Sequence, residues 1–282
     1  MNDNKNYLVH NLICEWQKIR EQFLKKDIDE SDADWIFCEV LKCNRAELKS
    51  IKYITSKDLQ QVQEYAQKRL QGEPIQRIFG HANFYGFEFE INDDTLIPRF
   101  DTEVLAECVI KEINSSARPL KVLDLCTGSG CIAITLAKLT NAQVTAIDIN
   151  ENALQMARKN ADNLKAKVHF LKSNLFDELG KQTFDIIVSN PPYIKSSEIP
   201  MLDVSNFDPI LALDGGNDGL DFYCKIAKDA PQYLSPKGKI FLEIGKGQCG
   251  DVSALLSPNF VNISSRKDLA GITRVVFATK KD

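Results

Sequence analysis

A strand-like apolar run ends in Ser189-Asn190-Pro191-Pro192-Tyr193, whose residue types could hold a planar nitrogen. Two successive prolines fix φ at about −65° and keep the backbone rigid and extended. We expect this rigidity to present the Asn190 amide oxygen and the Pro191 carbonyl to the two donors of a planar NH2 group. The Tyr193 ring could stack on that group. The pattern indicates methyl transfer to such a nitrogen by orientation and desolvation, although a proline pair after a strand also suits an ordinary turn.

A glycine-containing loop follows an earlier strand candidate and leads directly into a helix. Glycines at such a turn let the backbone approach a ligand and direct helix N-terminal N–H groups at it. Gly128-x-Gly130-x-x-Ala133 also satisfies the dinucleotide fingerprint, so the loop alone leaves NAD and other nucleoside ligands open. The candidate ligand-binding residues of this loop are Cys126, Thr127, Gly128, Ser129 and Gly130.

Asp148 ends the next strand candidate. A carboxylate at this place can accept hydrogen bonds from both ribose hydroxyls of an adenosine-type cofactor. The alternative role is an N-cap for the following helix, for which Asn150 is equally suited. Asp124 lies on the same ligand-facing edge, where either a structural carboxylate bonded to the loop or a direct ligand contact is possible.

From Leu120 onward, strand and helix patterns alternate, which predicts a parallel sheet covered by helices on both faces. We expect the first and fourth strands to lie side by side at the topological switch point. The predicted strands are Lys121–Leu125, Gln143–Ile149, Lys167–Leu171, Phe184–Ser189, Lys239–Glu243 and a last one at Thr273–Ala278. The predicted helices are Cys131–Thr140, Asn152–Asn163, Gly219–Tyr233 and Gln248–Leu256.

The residues before this alternation predict two further parts. Residues 1–72 show helical spacing and predict a small helical bundle. Residues 73–99 form a turn-rich linker in which His81 to Ile97 predicts a β-hairpin. A helix capped by Asp101 or Thr102 opens the remaining part, residues 100–282.

Composition narrows the function classes. The chain has 282 residues, 44% of them hydrophobic and 26% charged, with a formal net charge of −4, which argues against binding nucleic acid mainly through its phosphates. No apolar run approaches the roughly 18 residues of a membrane helix, and the polar Met1–Asn6 stretch predicts a cytoplasmic protein. The eight cysteines form no C-x-x-C pair and the three histidines are far apart, so we predict reduced thiols and no metal site.

Taken together, the chain resembles the release factor glutamine methyltransferases, the PrmC/HemK family. The resemblance runs from about Glu73 to the C-terminus and extends beyond Asn-Pro-Pro-Tyr, which also occurs in enzymes that methylate amines of nucleic acids. The matching segments are Glu73-Pro74-Ile75-Gln76, Phe84-Tyr85-Gly86, Leu96-Ile97-Pro98-Arg99, Asp101-Thr102-Glu103, Ala212-Leu213-Asp214-Gly215-Gly216, Asp218-Gly219-Leu220, Leu242-Glu243-Ile244-Gly245 and Asp268-Leu269-Ala270-Gly271.

The resemblance implies an α/β fold, namely a class I S-adenosylmethionine-dependent (Rossmann-like) methyltransferase domain with a small N-terminal helical bundle and a connecting β-hairpin. It implies that S-adenosylmethionine methylates the glutamine of the Gly-Gly-Gln motif in class 1 peptide chain release factors, leaving S-adenosylhomocysteine. The helical domain and hairpin would help to hold the release factor, without membrane or direct nucleic-acid binding. Cofactor contacts would come from Cys126–Gly130, Asp148, Leu175 and Asn190, and glutamine contacts from Asn190, Pro191, Pro192 and Tyr193.

Four positions depart from the family pattern. Cys126 replaces a usual glycine, which suggests that a negative φ is tolerated there, and Asn174 replaces a usual aspartate, which would weaken an adenine contact. Phe100 stands where proline is common, and Asp208 where glutamate is common. None of these changes removes a group that the mechanism requires.

Two other functions stay open at this point. One is methylation of an exocyclic amine in DNA or RNA, which needs a flipped or single-stranded base. The acidic net charge and the family-specific segments weigh against it. The other is a non-catalytic binding scaffold on the translation machinery, against which the intact Asn190, Asp148 and glycine loop argue.

Overall fold

The computed structural model describes residues 9–202 and 206–282. The chain divides into two compact units, Met1–Gly80 and His81–Asp282. The predicted helical domain starts at residue 1, and its first eight residues, including the polar Met1–Asn6 stretch, lie outside the described part. None of the described helices is both long and apolar enough to cross a membrane.

The N-terminal unit is a small helical bundle with one short antiparallel strand pair. The apolar faces of its helices meet in a core that includes Phe23, Ile36, Phe37 and Val62, all fully buried. Its elements are β1 (Val9–Asn11), α1 (Leu12–Leu24), α2 (Ser31–Leu41), α3 (Arg45–Leu48), β2 (Tyr53–Thr55), α4 (Ser56–Leu70) and α5 (Ile75–Phe79).

A β-hairpin opens the second unit, as predicted. Strands β3 (His81–Phe84) and β4 (Phe87–Glu90) pair with Phe84 opposite Phe87, which leaves a two-residue turn. Tyr85 and Gly86 both have positive φ, 51° and 81°, the geometry that matches the right-handed twist of hairpin strands. The chain then runs to α6 (Phe100–Asn114).

A seven-stranded sheet forms the centre of this unit, in the order β10-β11-β9-β8-β5-β6-β7. Strands β9, β8, β5, β6 and β7 are parallel, and β11 runs antiparallel to both β9 and β10. The strands are β5 (Lys121–Leu125), β6 (Gln143–Asp148), β7 (Val168–Lys172), β8 (Phe184–Ser189), β9 (Leu234–Glu243), β10 (Phe260–Lys267) and β11 (Thr273–Lys280). The helices after α6 are α7 (Cys131–Leu139), α8 (Glu151–Leu164), α9 (Ile210–Leu213), α10 (Asp221–Tyr233) and α11 (Cys249–Leu256), with a 3-10 turn at Ile199–Met201.

The two faces of the sheet pack into separate cores. Along β5, Val122 belongs to one core whereas Leu123 and Leu125 belong to the other. This alternation confirms the predicted sheet with helices on both faces. The sequence prediction missed β10, because only its first residue, Phe260, is buried and most of the rest of this edge strand is polar and exposed.

The predicted cap of α6 is wrong. The helix begins at Phe100, with Arg99 in the N-cap position and no side-chain cap bond. Asp101 and Thr102 instead lie in the first turn. Asp101 forms an ion pair of 2.6 Å with Arg274, and Thr102 is buried. Both side chains thus face tertiary partners that the local sequence does not reveal.

Asp185 lies near the amino end of β8, at the end of the sheet opposite the carboxyl ends of the parallel strands. It accepts hydrogen bonds from both terminal nitrogens of Arg118, from the Lys121 amide and from the Ser235 hydroxyl, at 2.6 to 3.0 Å. The hydrogen bond from Arg118 is the main cause that lowers the pKa of Asp185 to about 2. A carboxyl with a lowered pKa stabilises the fold above its unfolded-state pKa, and this contribution is lost as the pH falls through the folded-state value.

We therefore expect Asp185→Asn to lower Tm at pH 7 by roughly 2–4 °C, as for the loss of about 1 kcal/mol in a protein of this size. The difference from wild type should shrink between about pH 4 and pH 2, where the wild-type carboxyl also takes up its proton. Thermal unfolding followed by circular dichroism across this range measures both. An equal Tm difference at pH 7 and pH 2 would contradict the assigned ion pair.

Candidate active site

Strands β5 and β8 lie side by side, as predicted for the first and fourth strands of the alternating region. Leu125 pairs with Ser189 at their carboxyl ends, and the Ser189 hydroxyl donates to the Leu125 carbonyl at 2.8 Å. The glycine loop after β5 and the Asn190-Pro191-Pro192-Tyr193 segment after β8 therefore start from the same edge of the sheet. This is the switch point at which open parallel sheets bind ligands.

The loop Cys126–Gly130 is fixed by two carboxylates. Asp124 is completely buried and accepts the Thr127 hydroxyl at 2.7 Å, while Asp148 accepts the Gly128 amide at 2.9 Å. Burial raises the pKa of Asp124 to about 7, partly offset by that Thr127 hydroxyl bond. Gly130 has a φ of 81°, and a Cβ there would approach the Ile134 side chain to 2.9 Å. Asp124 thus serves as a bonded support for the loop, one of the two roles left open by the sequence.

Cys126 adopts a positive φ of 61°. The expectation that a negative φ would be tolerated at this position is therefore wrong. The backbone keeps the left-handed conformation that a glycine would adopt freely, and the Cys126 side chain carries the local strain, of order 1–3 kcal/mol. The surrounding bonds from Asp124 and Asp148 impose this geometry on the loop.

Asp148 faces the loop and keeps acceptor capacity for a ligand. Its Oδ2 accepts the Gly128 amide and its Oδ1 accepts the Asn150 amide, both at 2.9 Å. Each carboxylate oxygen has two lone pairs, so both can accept a further hydroxyl. The helix N-cap is Asn150, which accepts the Asn152 amide at 2.9 Å. Burial raises the pKa of Asp148 despite the bonds from Asn150 and Gly128.

Asn160 connects the loop to the hairpin. Its side chain is buried and donates to the Ser129 and Glu90 carbonyls at 2.9 Å, while accepting the Glu90 amide at 2.8 Å. One amide group on α8 thereby satisfies backbone groups of both β4 and the glycine loop. The hairpin is thus part of the framework that positions the loop.

A cavity of about 930 Å³, counted with its open mouth, lies at the carboxyl ends of β5, β6 and β8. The predicted site residues that line it are Cys126, Thr127, Gly128, Ser129, Asp148, Leu175, Asn190 and Pro192. Gly130, Pro191 and Tyr193 do not line it. Thr102, Asn174 and Leu211 are among the other lining residues.

Asn190 is held from the side of α6. Its Nδ2 donates to the buried Thr102 hydroxyl at 3.2 Å, and its Oδ1 accepts no hydrogen bond from residues 9–202 or 206–282. Pro191 and Pro192 are both buried. The Tyr193 hydroxyl is 3.5 Å from Oε1 of Glu243, a buried residue at the end of β9. The segment thus presents a carbonyl oxygen of Asn190 beside the cavity on a closely packed base.

The chain following α9 packs tightly on the backbone of Tyr193. A Cβ at Gly215 would lie 2.7 Å from the Tyr193 Cα, and one at Gly219 would lie 2.4 Å from the Tyr193 carbonyl oxygen. The Gln248 side chain donates to the carbonyls of Tyr193 and Gly219 at 3.0 and 3.2 Å. Ile194 adds backbone bonds to this chain, accepting the Gly215 amide at 2.8 Å. These glycines are required because backbone meets backbone there.

Comparison with known proteins identifies the family. Residues 15–80 match the model of the PrmC N-terminal domain and residues 100–207 that of the methyltransferase small domain. A release factor glutamine methyltransferase of Thermodesulfovibrio yellowstonii is 39% identical over 273 residues, covering 93% of this chain and 97% of the relative. Its counterpart from Fusobacterium nucleatum is 41% identical over 261 residues, covering 88% and 73%. A methyltransferase structure from Pyrococcus furiosus shares the fold, with a TM-score of 0.53 and 20% identity over 71% of this chain and 91% of that one.

The chain belongs to the release factor glutamine methyltransferase family. It is a class I methyltransferase, and S-adenosylmethionine is its methyl donor.

The cavity suits this methyl donor. Asp148 is a lining residue whose two oxygens each accept one backbone amide and keep a further lone pair. A Cβ built on Gly128 would meet nothing within 4 Å, so ligand atoms have room beside the loop. Leu175 supplies an apolar wall and has a positive φ of 51°, although it is not a glycine. The Asp148 carboxylate matches a ribose diol, and the apolar Leu175 wall matches the flat face of an adenine base.

Three residues of the site were not predicted as site residues: Thr102, Glu243 and Gln248. Thr102 and Glu243 lie within segments that support the family resemblance, but their partners are distant in sequence, 88 residues from Thr102 to Asn190 and 50 residues from Glu243 to Tyr193. A charged residue ending an apolar strand next to β8 is a usable signal for Glu243. Nothing local indicates the role of Gln248.

We expect Gly215→Ala to slow methyl transfer by about 100-fold, because the added Cβ must displace the backbone of Pro192 and Tyr193 and so move Asn190. The rate of transfer to the protein substrate, measured with labelled methyl donor, checks this. Gly250→Ala is the matched control, since a Cβ at this helical position meets nothing within 4 Å. It should leave the rate unchanged and hold or raise Tm. Equal rates for the two variants would show that the close packing does not position the segment.

Proposed function

We propose that this enzyme transfers a methyl group from S-adenosylmethionine to the side-chain amide nitrogen of the glutamine in the Gly-Gly-Gln motif of class 1 peptide chain release factors. Asn190 and the Pro191 carbonyl orient the amide, and Tyr193 forms the platform beside it. The substrate is inferred from the relatives that cover nearly the whole chain, and the orienting groups from the site.

The observation that carries this proposal is the fixed Asn190 side chain. Its amino group is bound by Thr102, and its carbonyl oxygen has no partner in the described part of the chain and borders the cavity. A primary amide has two N–H donors in one plane. Two acceptors at fixed positions, Asn190 Oδ1 and the Pro191 carbonyl, would engage both donors and define the orientation of that plane.

Orientation matters because an amide nitrogen is a weak nucleophile. Its lone pair is delocalised into the neighbouring carbonyl, so a reactive encounter requires that the lone pair face the methyl carbon. Holding the amide in that orientation is worth several kcal/mol. The segment that supplies the two acceptors contains two buried prolines, so little ordering is left for the moment of reaction.

The glycine loop and Asp148 take the methyl donor on the other side of the cavity. When bound, S-adenosylmethionine supplies a methyl group made electrophilic by a positively charged sulfonium. In our proposal Asp148 holds the ribose, and Cys126–Gly130 and Leu175 hold the rest of the donor near Asn190. The cavity walls exclude water around the reacting atoms, which strengthens each polar contact inside.

The N-terminal helical unit and the β3–β4 hairpin are proposed to bind the body of the release factor. The match of residues 15–80 to the PrmC N-terminal domain supports this role for the helical unit. We expect the reaction to take place in the cytoplasm, where release factors act, and to require no direct contact with nucleic acid.

The proposed reaction predicts that the purified enzyme adds one methyl group to a class 1 release factor at the glutamine of Gly-Gly-Gln. Mass spectrometry of the intact factor and of its peptides reports both the substrate and the modified residue. A release factor whose motif glutamine is replaced by glutamate is the matched control and should gain no methyl group. Label that appears only in DNA or RNA offered in parallel would overturn the proposal.

Variants at Asn190 and Asp148 should separate orientation from donor binding. We expect Asn190→Ala to lower kcat by roughly 100- to 1,000-fold, as for loss of one fixed catalytic hydrogen-bonding group, with donor affinity retained. Asp148→Ala should mainly weaken donor binding, because its ribose acceptors are lost. Calorimetry and single-turnover rates give the two quantities.

Asn163→Ala is the control for these variants, since Asn163 lies on α8 outside the cavity and bonds Glu90. It should leave both quantities unchanged. Unaltered turnover of Asn190→Ala, or a donor affinity unaltered in Asp148→Ala, would refute the role assigned to that residue.

A further inference from the structure

Glu243 is a buried carboxyl group directly behind the amide-orienting segment. Its residue is only 2% exposed, at the end of β9. Oε1 is 3.5 Å from the Tyr193 hydroxyl, and Oε2 is buried with no hydrogen-bond partner among the residues that the structure describes. A buried carboxyl oxygen without a partner costs free energy, so its retention beside Tyr193 and Thr102 calls for a function.

Thr102 is bonded to Asn190 and is near enough to Glu243 for its hydroxyl to lower the pKa of that carboxyl. Its hydroxyl accepts the Asn190 Nδ2 group at 3.2 Å. A hydroxyl has one proton and two lone pairs, so it could equally donate to Asn190 if the amide were turned around. The position of the Thr102 proton therefore decides which end of the Asn190 amide faces the cavity. An ionised carboxylate accepts hydrogen bonds and donates none, so an ionised Glu243 would orient the Thr102 O–H toward itself.

We propose that Glu243 is a positioning residue that fixes the orientation of the Asn190 amide through Thr102. The ionised Glu243 accepts a hydrogen bond from the Thr102 hydroxyl, and the Thr102 oxygen accepts one from the Asn190 amino group. The Asn190 carbonyl oxygen is thereby held toward the substrate nitrogen. We name these three residues the amide-orienting chain. This inference rests on the proposed function, because only a substrate with N–H donors needs a carbonyl oxygen at this point.

The charges around Glu243 determine when it is ionised. Burial raises the pKa of Glu243 to about 7, and the nearby Thr102 hydroxyl, the Arg274 charge and the Tyr193 hydroxyl act to lower it. Asp101 on α6 raises it, and the Tyr223 hydroxyl on α10 donates to the Glu243 backbone carbonyl at 2.7 Å. Cys131 on α7 is a further titratable neighbour of Glu243. A protonated Glu243 becomes a donor and no longer fixes the direction of the chain.

Ionisation of Glu243 is expected to lower the stability of the fold although it raises activity. Because the pKa of Glu243 is higher in the folded state than its ordinary value, the ionised group destabilises the fold as the pH rises through about 7. Glu243→Gln should therefore keep Tm at pH 8 at or above the wild-type value. Its new amide can donate to Thr102, which frees the Thr102 proton for Asn190 Oδ1 and turns the Asn190 amide around.

The test compares full-length wild type, Glu243→Gln, Thr102→Val, Thr102→Ser and the Glu243→Gln/Thr102→Val double variant with release factor and S-adenosylmethionine. We expect Glu243→Gln and Thr102→Val each to lower kcat by about 100-fold at pH 8 with unchanged donor affinity. The double variant should lose no more than either single one, since the three residues act as a unit. Thr102→Ser keeps the hydroxyl and should retain activity.

The pH profile gives a readout that a purely structural role would not change. Wild-type kcat should fall as the pH drops through about 7, whereas the residual rate of Thr102→Val should show no such step. Asp185→Asn replaces a carboxylate by an amide at the opposite end of the sheet and is the matched control. It should lower Tm without changing kcat.

The outcomes distinguish the two proposals. A wild-type enzyme that transfers no methyl group to release factor glutamine overturns the proposed function and the amide-orienting chain together. An active wild type with an equally active Glu243→Gln overturns the chain alone. Additive losses in the double variant, or a loss of activity that follows a loss of Tm, would also overturn it.

Discussion

The pairing of β5 with β8 is the interaction on which the rest of the structure depends. It sets Leu125 opposite Ser189, so the glycine loop and the Asn-Pro-Pro-Tyr segment leave the sheet at the same level. A one-residue slip would turn every side chain of a strand to the other face, and Asn190 would then leave the cavity. The Ser189 hydroxyl, bonded to the Leu125 carbonyl, ties the strands together just before they diverge. The same contact therefore fixes both the register of β5 with β8 and the position of Asn190 beside the cavity.

Both neighbours of β8 carry a buried carboxyl group near their ends. Asp124 on β5 accepts the Thr127 hydroxyl of the glycine loop, and Glu243 on β9 contacts the Tyr193 hydroxyl of the Asn-Pro-Pro-Tyr segment. Burial raises the pKa of each to about 7. Neither carboxylate improves the stability of the fold when it is ionised, because a buried charge is disfavoured. Their presence on either side of β8 indicates that this edge of the sheet is organised for the reaction, where perturbed carboxyl groups concentrate.

Much of this fold could be predicted from the sequence because buried parallel strands have a distinctive pattern. Strands Lys121–Leu125 and Phe184–Ser189 have the bounds predicted from their apolar runs. The edge strand β10 is mostly polar after its first residues, has no such run and was missed. Its place in the sheet depends on pairing with β11, a neighbour that local pattern does not identify.

The site was harder to predict than the fold, for a related reason. The residue types of the glycine loop and of the Asn-Pro-Pro-Tyr segment indicate ligand contacts from the local sequence alone. Thr102, by contrast, looks like a helix cap until α6 is packed against β9 and β11, when it becomes the partner of Asn190. Cys126 looks like a residue that needs a negative φ, yet bonds to its neighbours in the loop hold it at 61°. In both cases tertiary contacts override the local preference.

The rigidity of the Asn-Pro-Pro-Tyr segment limits how the proposed site could select its substrate. An amide and an exocyclic base amine offer the same planar pair of donors, so two fixed acceptors alone do not distinguish them. In this chain the backbone of Tyr193 is locked by Gly215, Gly219 and Gln248, which leaves the segment little freedom to adapt. In the proposed reaction, discrimination would then come from other lining residues of the cavity, such as Leu211 and Arg99, which pairs with the buried Asp208 at 2.6 Å. Two fixed acceptors suit any planar NH2 group, so the proposed choice of a glutamine amide depends on residues outside the Asn-Pro-Pro-Tyr segment.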